Sequence, residues 1–140
     1  MSSHRINRPA PHRPRLAASV AFAALAAAST VRADIIDIAW DTSGHFERTV
    51  TVAPGKFAEL CGKLPAGLKV RWDFEASAPL DFNVHYHVGK DVVFPSKMAA
   101  TRKAKDVLDT RIEQDYSWMW SNKTSAAASL KVELDRKSVV

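Results

Sequence analysis

Two histidines separated by one residue, His85 and His87, are the side chains of this sequence whose type and spacing best suit chemistry. On a β-strand, residues i and i+2 share a face and lie about 6.6 to 6.8 Å apart, so two imidazole rings can converge on one ion. Asp81 and Asn83 fall on the same face and could add oxygen ligands. Imidazole suits Cu and Zn among other metals. The pattern predicts a polar strand face that binds a ligand, and a metal ion is one candidate.

A pair of histidines supplies only two ligands, whereas stable metal sites usually have three or four. Met119, Cys61 and His45 are candidates for the missing ligands, and the thioether of Met119 would suit Cu(I). The alternative is a solvated strand face that carries two ordinary histidines. No cofactor is assigned from the sequence, and Cu or Zn stays an open alternative.

The histidines lie in residues 79–95, whose hydrophobic pattern predicts a β-hairpin. Apolar side chains occupy every second position, at Phe82, Val84, Tyr86 and Val88. This period of two turns one face of a strand to a core and the other to solvent or a ligand. A turn is expected at residues 89–91, Gly-Lys-Asp.

Further short segments have strand character and are separated by turn signals. They are residues 34–40, 46–52, 56–60, 68–74, 115–122 and 130–134. Seven or eight short strands with turn signals every 8 to 12 residues or so are typical of an all-β sandwich. The sequence therefore predicts one antiparallel β-sandwich over residues 34–140, of jelly-roll or immunoglobulin-like architecture. Its core would be rich in aromatic side chains, namely Trp72, Phe74, Phe82, Tyr86, Trp118 and Trp120.

Residues 96–114 are charged and have a poor apolar stripe. We expect a long basic loop around residues 97–105, then a short strand near residues 107–112, with a helical turn as the main alternative. The tail, residues 135–140, is expected to fray.

The first 33 residues have the pattern of a secretory signal peptide. Four arginines and no acid occupy residues 1–15, and residues 16–31 form an uncharged, Ala-rich run of 16 residues. That run is shorter than the roughly 20 residues of a membrane-spanning helix. We expect a signal helix, cleavage after Ala33, and export to the periplasm or the cell exterior. An uncleaved anchor, which would be the only membrane contact, and a mitochondrial transit peptide are the alternatives.

Cleavage after Ala33 changes the charge of the protein. The mature chain has fifteen basic and fifteen acidic residues, because five of the twenty Lys and Arg precede Asp34 and all the acids lie at or beyond it. A net charge near zero gives no electrostatic case for nucleic-acid binding. No nucleophile elbow, phosphate loop or HExxH motif is present, so no catalytic residue is assigned. A glycosylation sequon at residues 122–124 matters only in a host that glycosylates exported proteins.

Several segments together resemble the GOLD domain, the lumenal β-sandwich of p24 (emp24/gp25L) proteins. The resemblance is carried by Cys61, by LPAGLKVRWDFEAS, by PLDFNVHYHVGKDVVFP, by QDYSWMWSN and by LKVEL, in that order. It implies the sandwich fold and a binding role. In p24 proteins two cysteines form a disulfide; Cys61 matches the first, and Met119 stands where the second would be. The coiled coil, membrane helix and coat-binding tail of that family have no counterpart in this sequence.

Two functional hypotheses follow. In the first, the chain is an exported, non-enzymatic binding module that recognises a protein or a small ligand through Asp81, Asn83, His85 and His87 and the adjoining loops. In the second, it is a periplasmic protein that binds Cu or Zn through His85 and His87. An enzyme of unknown reaction is a third and weaker hypothesis.

Overall fold

The computed structural model describes residues 34–138, and these residues form seven β-strands. In chain order they are β1 (Asp34–Asp37), β2 (His45–Val52), β3 (Phe57–Leu64), β4 (Leu68–Val88), β5 (Asp91–Thr110), β6 (Gln114–Ser121) and β7 (Ala128–Ser138). The predicted all-β class is confirmed. In this part of the chain no helix is both long and apolar enough to cross a membrane. The predicted signal peptide and its cleavage site lie outside the described residues.

All seven strands belong to one sheet, in the order β1-β3-β6-β4-β7-β2, with β5 paired to β4. Strand β4 has 21 residues and organises the sheet. Its first half pairs with β7 and its second half pairs with β6, while β5 runs beside both halves. The sheet therefore has two arms. The β7 arm contains β2, β7 and the first half of β4, and the β6 arm contains β1, β3, β6 and the second half of β4.

The two arms meet where β4 bends. The pairing of β4 with β5 shifts register between Glu75 and Leu80 and again before Phe82. Pro79 lies in this irregular stretch and has no N–H to donate, and Ala100 on the opposite strand has a positive φ of 45°. Register shifts of this kind bend a strand and increase its twist. The sequence pattern placed residues 68–74 and 79–95 in separate segments, but β4 continues from one into the other and curls the sheet.

The inner face of the curled sheet carries the core. Trp72 and Phe82, from the two halves of β4, approach with ring centroids 4.8 Å apart. Phe74 meets Trp120 of β6 edge-on at 5.5 Å. Five of the six predicted core aromatics are buried, and Tyr86 is half-buried against Tyr116. Aromatic rings bury more area than aliphatic side chains do, so this cluster holds the two arms together.

The predicted loop around residues 97–105 is wrong, because these residues belong to β5, a strand of 20 residues, whereas the predicted short strand near residues 107–112 is confirmed as far as Thr110. β5 pairs with β4 alone among the described strands, and only Leu108 and Thr110 of its side chains are buried. Lys97, Lys103 and Lys105 are exposed on it. Charged side chains are common on edge strands, and they obscured the strand pattern here.

Three smaller predictions also need correction. The sheet is not wholly antiparallel, since β1 runs parallel to β3. The expected fraying of the tail is wrong for residues 135–138, which continue β7 and pair with β4. Val88 is 47% exposed and does not enter the core, because it lies at the tip of the hairpin. The hairpin itself is confirmed, with Gly89 at a φ of 59° in its turn.

Candidate functional site

The outer face of the β6 arm carries the predicted site residues. The register aligns Glu59 on β3 with Met119 on β6, and Met119 with Asn83 on β4. One row further along, Ser117 lies between Cys61 and His85. Side chains paired directly across strands have Cβ atoms about 4.5 to 5.5 Å apart. The sheet thus brings residues that are distant in sequence onto one polar patch.

His85 is the centre of this patch and is 8% exposed, although it lies on the outer face. Its Nδ1 lies 2.7 Å from Asn83 Oδ1, and its Nε2 lies 3.5 Å from Glu59 Oε1. Desolvation by burial lowers the pKa of His85, Glu59 opposes this shift, and the charge of His87 reinforces it. Burial therefore favours the neutral ring, which has a single N–H and so can donate to only one of these two oxygens.

His87 differs from His85 because it is exposed. Its ring meets that of His85 edge-on, with centroids 5.4 Å apart. The ring of Phe94, on β5, lies 6.0 Å from His85 on the same side. The accessible part of the predicted site is thus His87 and its neighbours at the hairpin. The buried ring of His85 packs against them.

Cys61 and Met119 do lie on the face of the two histidines, as the metal hypothesis requires. Cys61 Sγ is 3.2 Å from Ser117 Oγ, and burial raises the pKa of this thiol. His45 does not join them: it lies on β2, with Nδ1 2.9 Å from Asp135 Oδ1. Within residues 34–138 no three or more His, Cys, Asp or Glu side chains form a group suited to a metal ion. Metal binding at His85, His87 and Met119 stays a prediction.

Asp81 lies one row beyond Asn83 on the same face and makes contacts of its own. Its Oδ2 lies 2.7 Å from Lys123 Nζ, and its Oδ1 accepts a hydrogen bond of 2.9 Å from the Ala100 N–H. These contacts lower the pKa of the carboxyl group, with Lys123 contributing most. Asp81 therefore stabilises the bend between the two arms. Its predicted role in ligand binding stays a prediction.

Sequence reasoning missed three residues of the patch, namely Glu59, Ser117 and Phe94. Glu59 and Ser117 could have been placed on the outer face by the period of two in their own strands. Their distance from His85 depends on the pairing of β3 with β6 and of β6 with β4, which no local pattern specifies.

The hairpin tip exposes apolar side chains on both of its faces, which the sequence pattern did not predict. Beyond His85 only β5 pairs with β4, so residues 86–93 continue as a two-stranded ribbon. Four large hydrophobic side chains are exposed along or beside it, namely Val88 (47%), Val92 (42%), Val93 (37%) and Phe94 (44%). Lys97 Nζ lies 4.8 Å from the centroid of the Phe94 ring. Clustered exposed apolar side chains with a polar rim are typical of interaction sites.

The sequon residue Asn122 is part of the fold. It is 1% exposed, and its Nδ2 donates to the carbonyl oxygens of Val52 (2.9 Å) and Ala126 (2.8 Å). Its Oδ1 accepts hydrogen bonds from the N–H and the hydroxyl of Thr124. The side chain links β2 to the loop after β6, and the folded protein cannot present its amide for glycosylation.

The sequence matches no protein-family model and no curated protein at a significant level. The fold, in contrast, is similar to solved structures of periplasmic inhibitors. The structure of Aeromonas hydrophila PliG, a periplasmic lysozyme inhibitor of g-type lysozyme, superposes with a TM-score of 0.59 at 9% identity. The match covers 76% of this chain and 98% of that one. Salmonella Typhimurium PliG gives a TM-score of 0.52 at 13% identity, with 74% and 99% of the two chains covered.

These comparisons overturn the resemblance to GOLD and p24 proteins. Two of the features that carried the resemblance show why it fails. Tyr116, Trp118 and Trp120 alternate as the inner face of any core strand would, so their pattern does not identify a family. Cys61 lies on the outer face beside Ser117, where it could not form a disulfide across the core. At these low identities the likeness shows the fold, which this chain shares with the PliG structures.

Proposed function

We propose that this chain is an exported, non-enzymatic protein that binds and inhibits a lysozyme of the g type. Support for the partner comes from the fold, which matches nearly the whole length of two PliG inhibitors of g-type lysozyme. The proposed function also agrees with the predicted signal peptide, since such an inhibitor would act in the periplasm. The proposal retains the binding role expected from the sequence and takes the ligand of this chain to be a protein.

The observation that carries the proposal in this chain is the exposed apolar hairpin tip. Truncation of a few central, well-packed side chains typically removes most of the energy of a protein interface. Phe94 and Val92 project from the tip, and His87 provides polar groups beside them. A ribbon supported by β6 up to His85 can present these side chains with little loss of entropy on binding. The binding surface would therefore be the tip together with the exposed edge of the polar patch.

The test is inhibition of peptidoglycan hydrolysis by a g-type lysozyme, with residues 34–140 added in increasing amounts. The variant Val92→Ser/Phe94→Ser should weaken inhibition about tenfold or more, because truncated interface anchors commonly cost at least 1 to 2 kcal/mol. Ile35→Ser is the matched control, since Ile35 is 67% exposed and lies on β1, at the edge of the sheet opposite the β4–β5 hairpin. It should inhibit as the unmodified chain does.

Titration calorimetry with the same lysozyme separates binding from inhibition. Absence of any heat of binding would remove g-type lysozyme as the partner. Full inhibition by the double-serine variant would instead show that the partner binds another surface.

A further inference from the structure

Strand β5 has one edge without a strand partner among residues 34–138, because it pairs with β4 alone. Such an edge presents backbone N–H and C=O groups that can pair with another chain. We propose that residues 104–110 of this edge pair antiparallel with the same residues of a second copy, so that the protein forms a symmetric dimer. This surface is separate from the hairpin tip, and the dimer does not depend on the proposed function.

Two hydrogen bonds show which residues of β5 turn their backbone groups to the free edge. The Gly67 N–H donates to the Thr110 carbonyl at 2.6 Å, so the backbone of Thr110 faces β4. The Val107 N–H donates to Asp106 Oδ1 at 2.7 Å, a local contact with its own neighbour. Successive residues of a strand turn these groups to opposite edges. Lys103, Lys105, Val107 and Asp109 therefore present their N–H and C=O groups to a second chain.

Charge selects the register of the pair. With a twofold axis at Val107, the two valines face each other, and Lys105 lies opposite Asp109 of the second copy, twice. With the axis at Asp106, Lys103 would face Asp109 of the second copy twice, but the two Asp106 side chains would oppose each other. With the axis at Lys105, two lysines would oppose each other. Opposite charges paired across strands stabilise a sheet, while like charges directly opposite destabilise it. The register centred on Val107 is thus the favoured one.

The side chains at this register are available. Val107 is 44% exposed, so an apolar side chain is open to a partner there. Asp109 Oδ1 holds Lys69 Nζ of its own chain at 2.6 Å, and the pair is half exposed. The second carboxylate oxygen of Asp109 can accept from Lys105 of the other copy. The described residues give Lys105 no carboxylate within 4.0 Å.

Beside this edge a cleft of about 220 Å³ separates the two halves of β5. Pro95 and Ser96 line one side, Val107 and Leu108 line the other, and Trp72 lies at the cleft. Pairing of two copies would extend the β7 arm into a sheet continuous across the dimer. The Val107 N–H would then exchange its bond to Asp106 for one to the Val107 carbonyl of the second copy.

Sedimentation of residues 34–140 over a range of concentrations tests the dimer. The chain should reach twice the monomer mass, while Lys105→Glu and Asp109→Lys should each weaken association about tenfold or more, because both create two like-charge pairs. An equimolar mixture of the two variants should dimerise again. In the mixed pair the introduced glutamate faces the introduced lysine, and the native Asp109 of one chain faces the native Lys105 of the other. A wild-type chain that stays monomeric at every concentration would overturn the proposal, and so would a mixture that behaves like its components.

A backbone variant tests the strand pairing itself. Val107→Pro removes an N–H that β4 does not use, so the monomer should keep its circular dichroism spectrum and lose the dimer. Val107→Thr keeps the N–H and the β-branched shape and should dimerise. If the mixed charge variants dimerise but Val107→Pro does too, the copies associate without pairing of this edge, and the proposal fails.

Discussion

Glu59 Oε1 and His85 Nε2 lie 3.5 Å apart, although strand β6 stands between their two strands. Both side chains reach over β6 between Ser117 and Met119, which the register places on either side of them. The contact keeps His85 in place beneath the exposed His87, so it couples β3 to the hairpin. Several measurable properties follow from it and from the rest of the fold.

The histidine titrations should separate by environment. Residues 34–140 contain three histidines. Asp135 raises the pKa of His45, and burial lowers that of His85. A two-dimensional NMR titration should therefore give midpoints above 6.5 for His45 and below 6.5 for His85, the ordinary value for the side chain. Glu59→Gln should lower the His85 midpoint further, because Glu59 favours the charged ring, whereas Glu113→Gln should not move it. A His85 midpoint unaffected by Glu59→Gln would contradict the contact.

The stability of the folded protein should decrease in mild acid because His85 binds a proton more readily in the unfolded chain than in the folded one. The unfolded ring titrates near 6.5, and the folded ring titrates lower, so between the two values only the unfolded chain binds the proton. The contribution of His85 is whole above pH 6.5 and is lost as the pH falls through the folded pKa. The free energy of unfolding in urea should therefore decrease over this range, and less so in His85→Gln.

His45 should act with the opposite sign, because its folded pKa is raised. Its contribution is present below pH 6.5 and is lost as the pH rises through the folded pKa. His45→Gln therefore serves as the control, and it should leave the acid loss in place. If both variants lost stability in acid to the same extent, the loss would have to come from other groups.

Replacing the buried Trp72 should lower the free energy of unfolding far more than replacing Lys69, an exposed residue of the same strand. Trp72 is 3% exposed and contacts Phe82, so Trp72→Ala should cost about 3 to 5 kcal/mol of the free energy of unfolding. Lys69 forms an exposed ion pair with Asp109, and Lys69→Ala should cost no more than about 1 kcal/mol. Equal losses in chemical denaturation would mean that the strand is shifted by one residue.

Asn122 should be a second strongly stabilising residue. Its replacement by Ala would leave the carbonyl oxygens of Val52 and Ala126 without this donor in a buried site. An unsatisfied buried group costs about 1 to 3 kcal/mol, so a loss on the order of 3 kcal/mol is expected for Asn122→Ala. Ser125→Ala, an exposed position in the same loop, should be close to neutral. An Asn122→Ala variant as stable as this control would refute the role of the network.

The metal hypothesis makes a distinct prediction for the same patch. If His85 and His87 hold Cu or Zn, native mass spectrometry of the exported protein should show one bound ion. The variant His85→Ala/His87→Ala should lose that ion and keep its fold by circular dichroism. A metal-free spectrum after both metals are supplied would retire the hypothesis. The same result would leave the proposed inhibitor function untouched, because that function rests on the hairpin tip.

Local sequence determined much of the framework. The alternation at Leu68, Val70, Trp72 and Phe74 predicted an inward face, and three of the four are buried. Gly89 marked the hairpin turn, and the inward set of β6 was found from the same period of two. Such patterns are local because successive side chains of a strand point to opposite faces, whatever the strand pairs with.

Only the tertiary structure decided the rest. Most side chains of the edge strand β5 are exposed and many are charged, so the segment looked like a charged loop until its pairing with β4 was known. The contact of Glu59 with His85 depends on two successive strand registers, and the exposure of Val92 and Phe94 depends on where β6 stops supporting the hairpin. The sequence by itself determined which side chains share a face, because that follows from the backbone period. Long-range pairing determined which faces meet, because strand neighbours are chosen by the packing of the whole sheet.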